Sequence, residues 1–101
     1  MFTLKDTVEG MTSPDYKERF CAEYAQIQNR LSGLQNMITK WDNGDLDFTP
    51  TCPRATYNFQ LKAMKEYRDV LEVRAAIEDI NLEAYLDRID SPRNDKKLQG
   101  R

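Results

Sequence analysis

The chain has 101 residues, of which 32% are charged, and 17 acidic against 15 basic side chains give a formal net charge of −2. A chain of this length forms one domain at most, and its charge argues against binding to duplex nucleic acid by bulk electrostatics. No apolar run approaches the roughly 20 residues that span a bilayer, and the first residues lack a signal-peptide pattern. We therefore expect a cytoplasmic protein that binds neither duplex nucleic acid nor a membrane.

The residue types exclude several kinds of catalytic, phosphate-binding and metal-binding site. The chain contains no histidine, which excludes Ser-His, Cys-His and His-metal constellations. Its four glycines are scattered and form no phosphate-cradling motif. The two cysteines, Cys21 and Cys52, are too few for a zinc site or a disulfide framework. We predict a protein that is not an enzyme and that uses neither a cofactor nor a metal.

The first long helix is predicted over about residues 14–43. Residues 1–12 show no sustained apolar periodicity, and we expect them to form a flexible N-terminal arm. Ser13 and Pro14 then favour an N-cap and a first helical residue, and Asn43-Gly44 favours a helix stop. Between these signals apolar side chains recur in steps of three and four. They are Tyr16, Phe20, Tyr24, Ile27, Leu31, Leu34, Ile38 and Trp41.

A second helix is predicted over about residues 52–80, beginning near Pro53. Its inner apolar stripe, interrupted by Arg68, consists of Tyr57, Leu61, Met64, Leu71 and Ala75. A second stripe widens the apolar surface beyond what one partner helix covers. It consists of Ala63, Tyr67, Val70, Ile77 and Ile80. We therefore expect an all-α fold in which the two helices form a long antiparallel hairpin, and an oligomer in which another copy of the chain covers the surplus face.

The C-terminal part is predicted as a short helix followed by a tail. Asn81 is placed to cap a last helix that carries Leu82, Tyr85, Leu86 and Ile89, although the second helix could also run on unbroken. Asp90-Ser91-Pro92 is expected to end this helix. The hairpin domain would then cover residues 13–90, and residues 91–101 would form a disordered charged tail.

Basic and aromatic side chains alternate along the second helix. Guanidinium and ammonium groups bind phosphates, and aromatic rings stack on bases. The predicted ligand-binding residues are Arg54, Tyr57, Gln60, Lys65, Tyr67, Arg68 and Arg74. Two other interpretations stay open. One is a solvated face with intrahelical ion pairs such as Lys62 with Glu66, and the other is a structural hydrogen-bond network at an oligomer seam.

Two segments, Tyr16-Lys17-Glu18-Arg19-Phe20 to Ile38 and Gln60 to Arg74, resemble a family of small phage and prophage proteins described as related to a crAss-like phage protein. The shared pattern Q-x3-M-x2-Y-x3-L-x2-R falls on Gln60, Met64, Tyr67, Leu71 and Arg74. The resemblance covers about residues 14–82. Small helical phage proteins of this kind include oligomeric sponges of the anti-CBASS type, which sequester cyclic nucleotide signals of bacterial immunity.

The resemblance implies a phage-encoded, non-enzymatic binding protein in the cytoplasm of the host cell. It would sequester a cyclic dinucleotide or a related signalling nucleotide in a homo-oligomer. The alternative is a protein–protein adaptor or inhibitor that lays its exposed helix face on another protein. The two hypotheses differ in whether the basic and aromatic groups converge into a concave site.

Overall fold

The structure is a computed structural model that describes the backbone of residues 2–99 and the side chains of residues 2–90. A 3-10 turn, η1 (Leu4–Thr7), and a short helix, α1 (Val8–Met11), precede three longer helices. These are α2 (Tyr16–Asp42), α3 (Arg54–Glu78) and α4 (Leu82–Gln99). The described residues contain no strand, which confirms the predicted all-α class. None of the described helices is long and apolar enough to cross a membrane.

The bounds of α2 follow from local signals at both ends. Asp15 is the N-cap, two residues after the predicted Ser13, because its carboxylate accepts a hydrogen bond from the backbone N–H of Lys17 over 3.0 Å. At the other end Gly44 adopts a positive φ of 76° beyond the last helical residue. This is the left-handed stop that the Asn43-Gly44 pair predicted.

Helices α2 and α3 lie against each other and run in opposite directions. Arg54 at the start of α3 pairs with Asp42 at the end of α2, and Tyr16 at the start of α2 donates a hydrogen bond to Glu78 at the end of α3 over 2.8 Å. Two apolar clusters fill the space between these ends. Their buried members are Phe20, Tyr24, Ile27, Leu71 and Ala75 in one, and Leu31, Ile38 and Leu61 in the other. Most residues of the apolar stripe predicted on the first helix and of the inner stripe predicted on the second are therefore buried or half-buried, whereas Tyr16 is 45% exposed.

Residues 2–12 differ from the predicted flexible arm, because η1 and α1 pack against α2. Phe2 is 7% exposed, and its carbonyl accepts a hydrogen bond from the side-chain amide of Asn29 over 3.1 Å. The side-chain amide of Gln26 donates to the buried hydroxyl of Thr7 over 3.0 Å. A four-residue helix is too short to show a periodicity, and its stability comes from such tertiary contacts.

Helix α3 ends at a left-handed residue, Asp79, with φ 57° and ψ 48°. The side-chain oxygen of Asn81 then accepts a hydrogen bond from the backbone N–H of Ala84 over 3.0 Å, which confirms the predicted break and cap. The backbone of α4 continues to Gln99, beyond the end predicted near Pro92. Most residues of that extension are good helix formers. The last two residues of the predicted tail, 100–101, lie outside the described part of the chain.

Tyr85 of α4 closes a small core on one side of α2. Its neighbours in this cluster are Phe2, Cys21, Ala22 and Ala25, so that residues from both ends of the chain meet on the same helix. Gly10 of α1 lies so close that a Cβ at this position would come within 2.5 Å of the Tyr85 hydroxyl. A glycine is required there because any side chain would push α1 away.

Candidate ligand-binding site

A groove of about 420 Å³ lies between the first half of α2 and the second half of α3. It is lined by Met11, Tyr16, Arg19, Phe20, Glu23, Gln26, Tyr67 and Arg74. Two of these, Tyr67 and Arg74, are predicted ligand-binding residues. The antiparallel packing of the helices brings them opposite the N-terminal turns of α2.

Arg74 is held in the groove by aromatic neighbours from α2. Its guanidinium carbon lies 4.7 Å from the centre of the Phe20 ring, and that ring is fixed because Phe20 is only 2% exposed. The guanidinium also donates a hydrogen bond to the Tyr16 hydroxyl over 2.7 Å and lies 3.5 Å from the Glu78 carboxylate. These contacts orient a cation whose side chain stays 42% exposed, and such a group can bind an anionic ligand.

Tyr67 reaches across the groove to α2, where its hydroxyl donates a hydrogen bond to the Glu23 carboxylate. This bond, together with burial and the Glu23 charge, raises the pKa of Tyr67 to about 12. The phenol is therefore neutral at physiological pH. Its ring is exposed, and an exposed ring of this kind can stack on a base.

Arg19 is a groove residue that the sequence reasoning did not select. Its guanidinium donates a hydrogen bond to the Ser13 carbonyl over 2.7 Å, which places a second cation in the groove that contains Arg74. Arg19 and Glu23 are four residues apart on α2 and so share a face. The sequence spacing alone could have shown that Arg19 and Glu23 share a face of α2. It could not have shown which residues of α3 lie opposite that face.

Arg54 and Tyr57 lie at the other end of the helix pair, beside Trp41. The Arg54 guanidinium carbon is 5.3 Å from the Trp41 ring centre, and the Trp41 and Tyr57 rings meet edge to face at 6.0 Å. Arg54 donates to both oxygens of the Asp42 carboxylate, which holds the pKa of Asp42 below its ordinary value. Twenty helical residues separate Arg54 from Arg74, or about 30 Å, so one small ligand cannot contact both arginines of one chain.

The remaining predicted residues are spread over α3. Arg68 pairs with its neighbour Asp69 over 3.1 Å. Glu72, four residues after Arg68 on the same helix, does not pair with Arg68 and accepts a hydrogen bond from the Tyr24 hydroxyl over 2.6 Å. Gln60 and Lys65 are exposed, and neither forms a hydrogen bond or an ion pair with another described residue. The structure thus brings two of the seven predicted residues into the groove.

A larger cavity of about 710 Å³ lies between the N-terminal segment and α4, and it contains none of the predicted residues. It is lined by both signs of charge, including Lys5, Glu9, Glu18 and Arg88. Arg88 already donates to the Glu18 carboxylate over 2.5 Å, and a hydrogen bond from Ser13 together with this one lowers the pKa of Glu18. Three acidic and two basic side chains line this cavity, whereas two arginines and one glutamate line the groove, so the groove is the better candidate for an anionic ligand.

Comparison with known protein families gives a match. The model of the family described as Sequestin matches residues 14–77, which include all of α2 and α3 up to Ile77. The matched segment contains every residue predicted to bind a ligand, and it contains the groove except for Met11. No curated protein and no solved structure matches the chain.

Proposed function

Since the chain belongs to the Sequestin family, we propose that it is a non-enzymatic binding protein that sequesters a cyclic nucleotide immune signal as a homo-oligomer. The family name indicates a protein that sequesters a ligand. The nucleotide nature of that ligand, a phage origin and an action in the host cytoplasm are parts of the proposal. The resemblance to small phage proteins suggests all three, and the groove supports the first.

The groove is the observation that carries the nucleotide assignment. Arg19 and Arg74 supply two cations in one concave site, and a guanidinium can bind a phosphate through two hydrogen bonds. Tyr67 supplies an exposed, neutral ring for a base. The volume of about 420 Å³ also falls in the range of small-molecule sites, which is about 300–1,000 Å³.

The alternative function, a protein–protein adaptor or inhibitor, is favoured by a different surface. Phe59, Val70, Val73 and Ile77 are all more than half exposed on α3, and an exposed apolar helix face is a common docking surface for another protein. The same surface also supports a homo-oligomer. The exposed apolar face is compatible with both functions, so only a test of nucleotide binding distinguishes them.

Calorimetry with a panel of cyclic dinucleotides and linear adenine nucleotides tests the proposal. We expect at least one cyclic nucleotide to bind and, at 100 times its Kd, to stabilise the fold by about 2.7 kcal/mol. Chromatography after heat denaturation should recover the ligand chemically intact, because sequestration leaves it unchanged. Cleaved ligand would contradict the non-enzymatic assignment, and absence of heat with every nucleotide would leave the adaptor function.

A matched pair of variants locates the binding. Arg19→Ala removes a groove cation and should weaken binding about tenfold or more, since a hydrogen bond to a charged group contributes about 1.5–3 kcal/mol. Arg30→Ala removes an exposed arginine of the same helix that lies outside the groove. It should leave the affinity unchanged, and equal losses in the two variants would exclude the groove as the binding site.

A further inference from the structure

The face of α3 opposite its contact with α2 carries a continuous stripe with heptad spacing. Its positions follow steps of four and three residues, which is the pattern of a coiled-coil seam. They are Phe59, Ala63, Glu66, Val70, Val73 and Ile77. The large apolar members are 77% exposed at Phe59, 56% at Val70, 58% at Val73 and 78% at Ile77. We call this set the outer stripe of α3.

A second copy of α3 is the occupant that fits the outer stripe. The stripe is about 27 Å long, and a helix with the same spacing offers matching knobs and holes along its whole length. Two facing stripes would bury on the order of 1,000 Å² in total, which is about the lower limit for a biological interface. Glu66, its one charged member, already lies 3.6 Å from Lys62 of the same helix, which lowers the cost of covering it.

The position of Glu66 also selects the direction of pairing. In a parallel pair in register, like residues face each other, and two Glu66 carboxylates would meet within the apolar seam. An antiparallel pair can use all six positions without that clash. Phe59 then faces Ile77 of the second copy, Ala63 faces Val73, and Glu66 faces Val70. The two-fold axis passes close to Tyr67.

Antiparallel pairing would bring the grooves of the two copies together. Gln60, Tyr67 and Arg74 lie along one flank of α3, between the outer stripe and the face that contacts α2. In an antiparallel pair the equivalent flanks of the two helices come together. The two Tyr67 residues would then be neighbours, and Gln60 of each copy would lie beside Arg74 of the other.

We infer that two copies of the chain pair antiparallel through the outer stripe of α3 and so join their grooves into one two-fold cleft, to which Gln60 of each copy contributes. This inference rests on the proposed function for its ligand, since a cyclic dinucleotide offers two phosphates and two bases to two symmetric sets of Arg74 and Tyr67. Gln60, which is exposed and has no polar partner among the described residues of one chain, would gain Arg74 of the second copy as a neighbour.

Cysteine cross-linking tests the pairing without any ligand. In a Cys52→Ser background, which removes the exposed native thiol, Ala63→Cys and Val73→Cys are prepared as separate full-length chains. Oxidation of the mixture should give a disulfide-linked heterodimer as the main product, and each chain alone should remain uncoupled. Coupling of each chain with itself would indicate a parallel pair, and absence of coupling in the mixture together with a monomer by sedimentation would overturn the inference.

Binding stoichiometry tests the shared cleft. Titration with the cyclic dinucleotide that binds should saturate at one ligand for every two chains, and Gln60→Ala should weaken binding although Gln60 lies outside the groove of one chain. One ligand per chain with Gln60→Ala unchanged would overturn the shared cleft and leave the proposed function standing. Absence of nucleotide binding would overturn the proposed function, and the cross-links would still decide the pairing.

Discussion

Each end of the α2–α3 pair carries an arginine stacked on an aromatic ring, and the two arginines differ in what else they bind. Arg54 lies over Trp41 and gives two hydrogen bonds to Asp42 and a third to Asn58. Arg74 lies over Phe20, donates to the Tyr16 hydroxyl and keeps a longer contact with Glu78. The first guanidinium is occupied by its own chain, whereas the second lines an open groove.

The comparison shows that charge and aromatic neighbours alone do not identify a binding arginine. A carboxylate that accepts two hydrogen bonds from a guanidinium occupies the donors that a phosphate would need. Arg54 therefore links α3 to α2 through Asp42 and is not free to bind a phosphate. Arg74 is oriented by the buried Phe20 ring and the Tyr16 phenol, and its 3.5 Å contact with Glu78 is longer than the bidentate contact of Arg54 with Asp42. The two ends should therefore differ in unfolding free energy and in their response to a ligand, as they differ in contacts.

The largest effect is expected from the rings beneath the arginines. Phe20→Ala removes a ring that is 2% exposed and should cost about 3–5 kcal/mol of unfolding free energy. Trp41→Ala removes a ring that is only partly buried and should cost less. Urea denaturation followed by circular dichroism measures both. Equal costs would show that the two ends are packed alike.

The next effect concerns the arginines themselves. Arg74→Ala should abolish the stabilisation by a saturating cyclic nucleotide, which is about 2.7 kcal/mol at 100 times the Kd. Arg54→Ala should retain that stabilisation, because its guanidinium is occupied by Asp42. Thermal unfolding of each variant with and without nucleotide measures this stabilisation. Loss of the ligand effect in Arg54→Ala would place the site at the other end of the helix pair.

The smallest effect is a pH dependence at the groove end. Because the hydrogen bond to Glu23 and burial raise the pKa of Tyr67 from 10.0 to about 12, their contribution to stability is complete below pH 10 and is lost as the pH rises through about 12. Ultraviolet titration of phenolate absorbance should show a group that ionises near pH 12 and is missing in Tyr67→Phe, whereas the late ionisation of Tyr24 and Tyr85, whose pKa values burial also raises, should remain. Glu23→Gln should return this pKa towards 10.0, and an unchanged titration would contradict the observed hydrogen bond.

The long helices could be predicted because their signals are local. The apolar steps from Tyr16 to Trp41 and the Asn43-Gly44 stop predicted α2 to within two residues at each end. Asn81 marked the break before α4. The N-terminal segment could not be predicted in this way, because the burial of Phe2 and Thr7 depends on Asn29 and Gln26, which are distant in sequence.

The site was harder to predict than the fold because residue type carries no information about helix register. Arg54 and Arg74 look equivalent in sequence, and only the contacts with Asp42 and Tyr16 distinguish them. Their separation along α3 was nevertheless available from the helical rise, and it excludes one small ligand for both within a single chain. Arg19 was missed because its place opposite Arg74 depends on how α2 and α3 align.

The close packing of Gly10 against Tyr85 limits how far the chain can be shortened. The segment shared with the Sequestin family ends before Tyr85 and begins after Gly10 and Phe2, yet these residues cover the fully buried Ala22 and Ala25 of α2. An excised fragment of residues 14–77 would expose that surface to water. A minimal version of the protein, or a graft of its groove onto another scaffold, must therefore keep residues 2–12 and 82–90 or replace their cover.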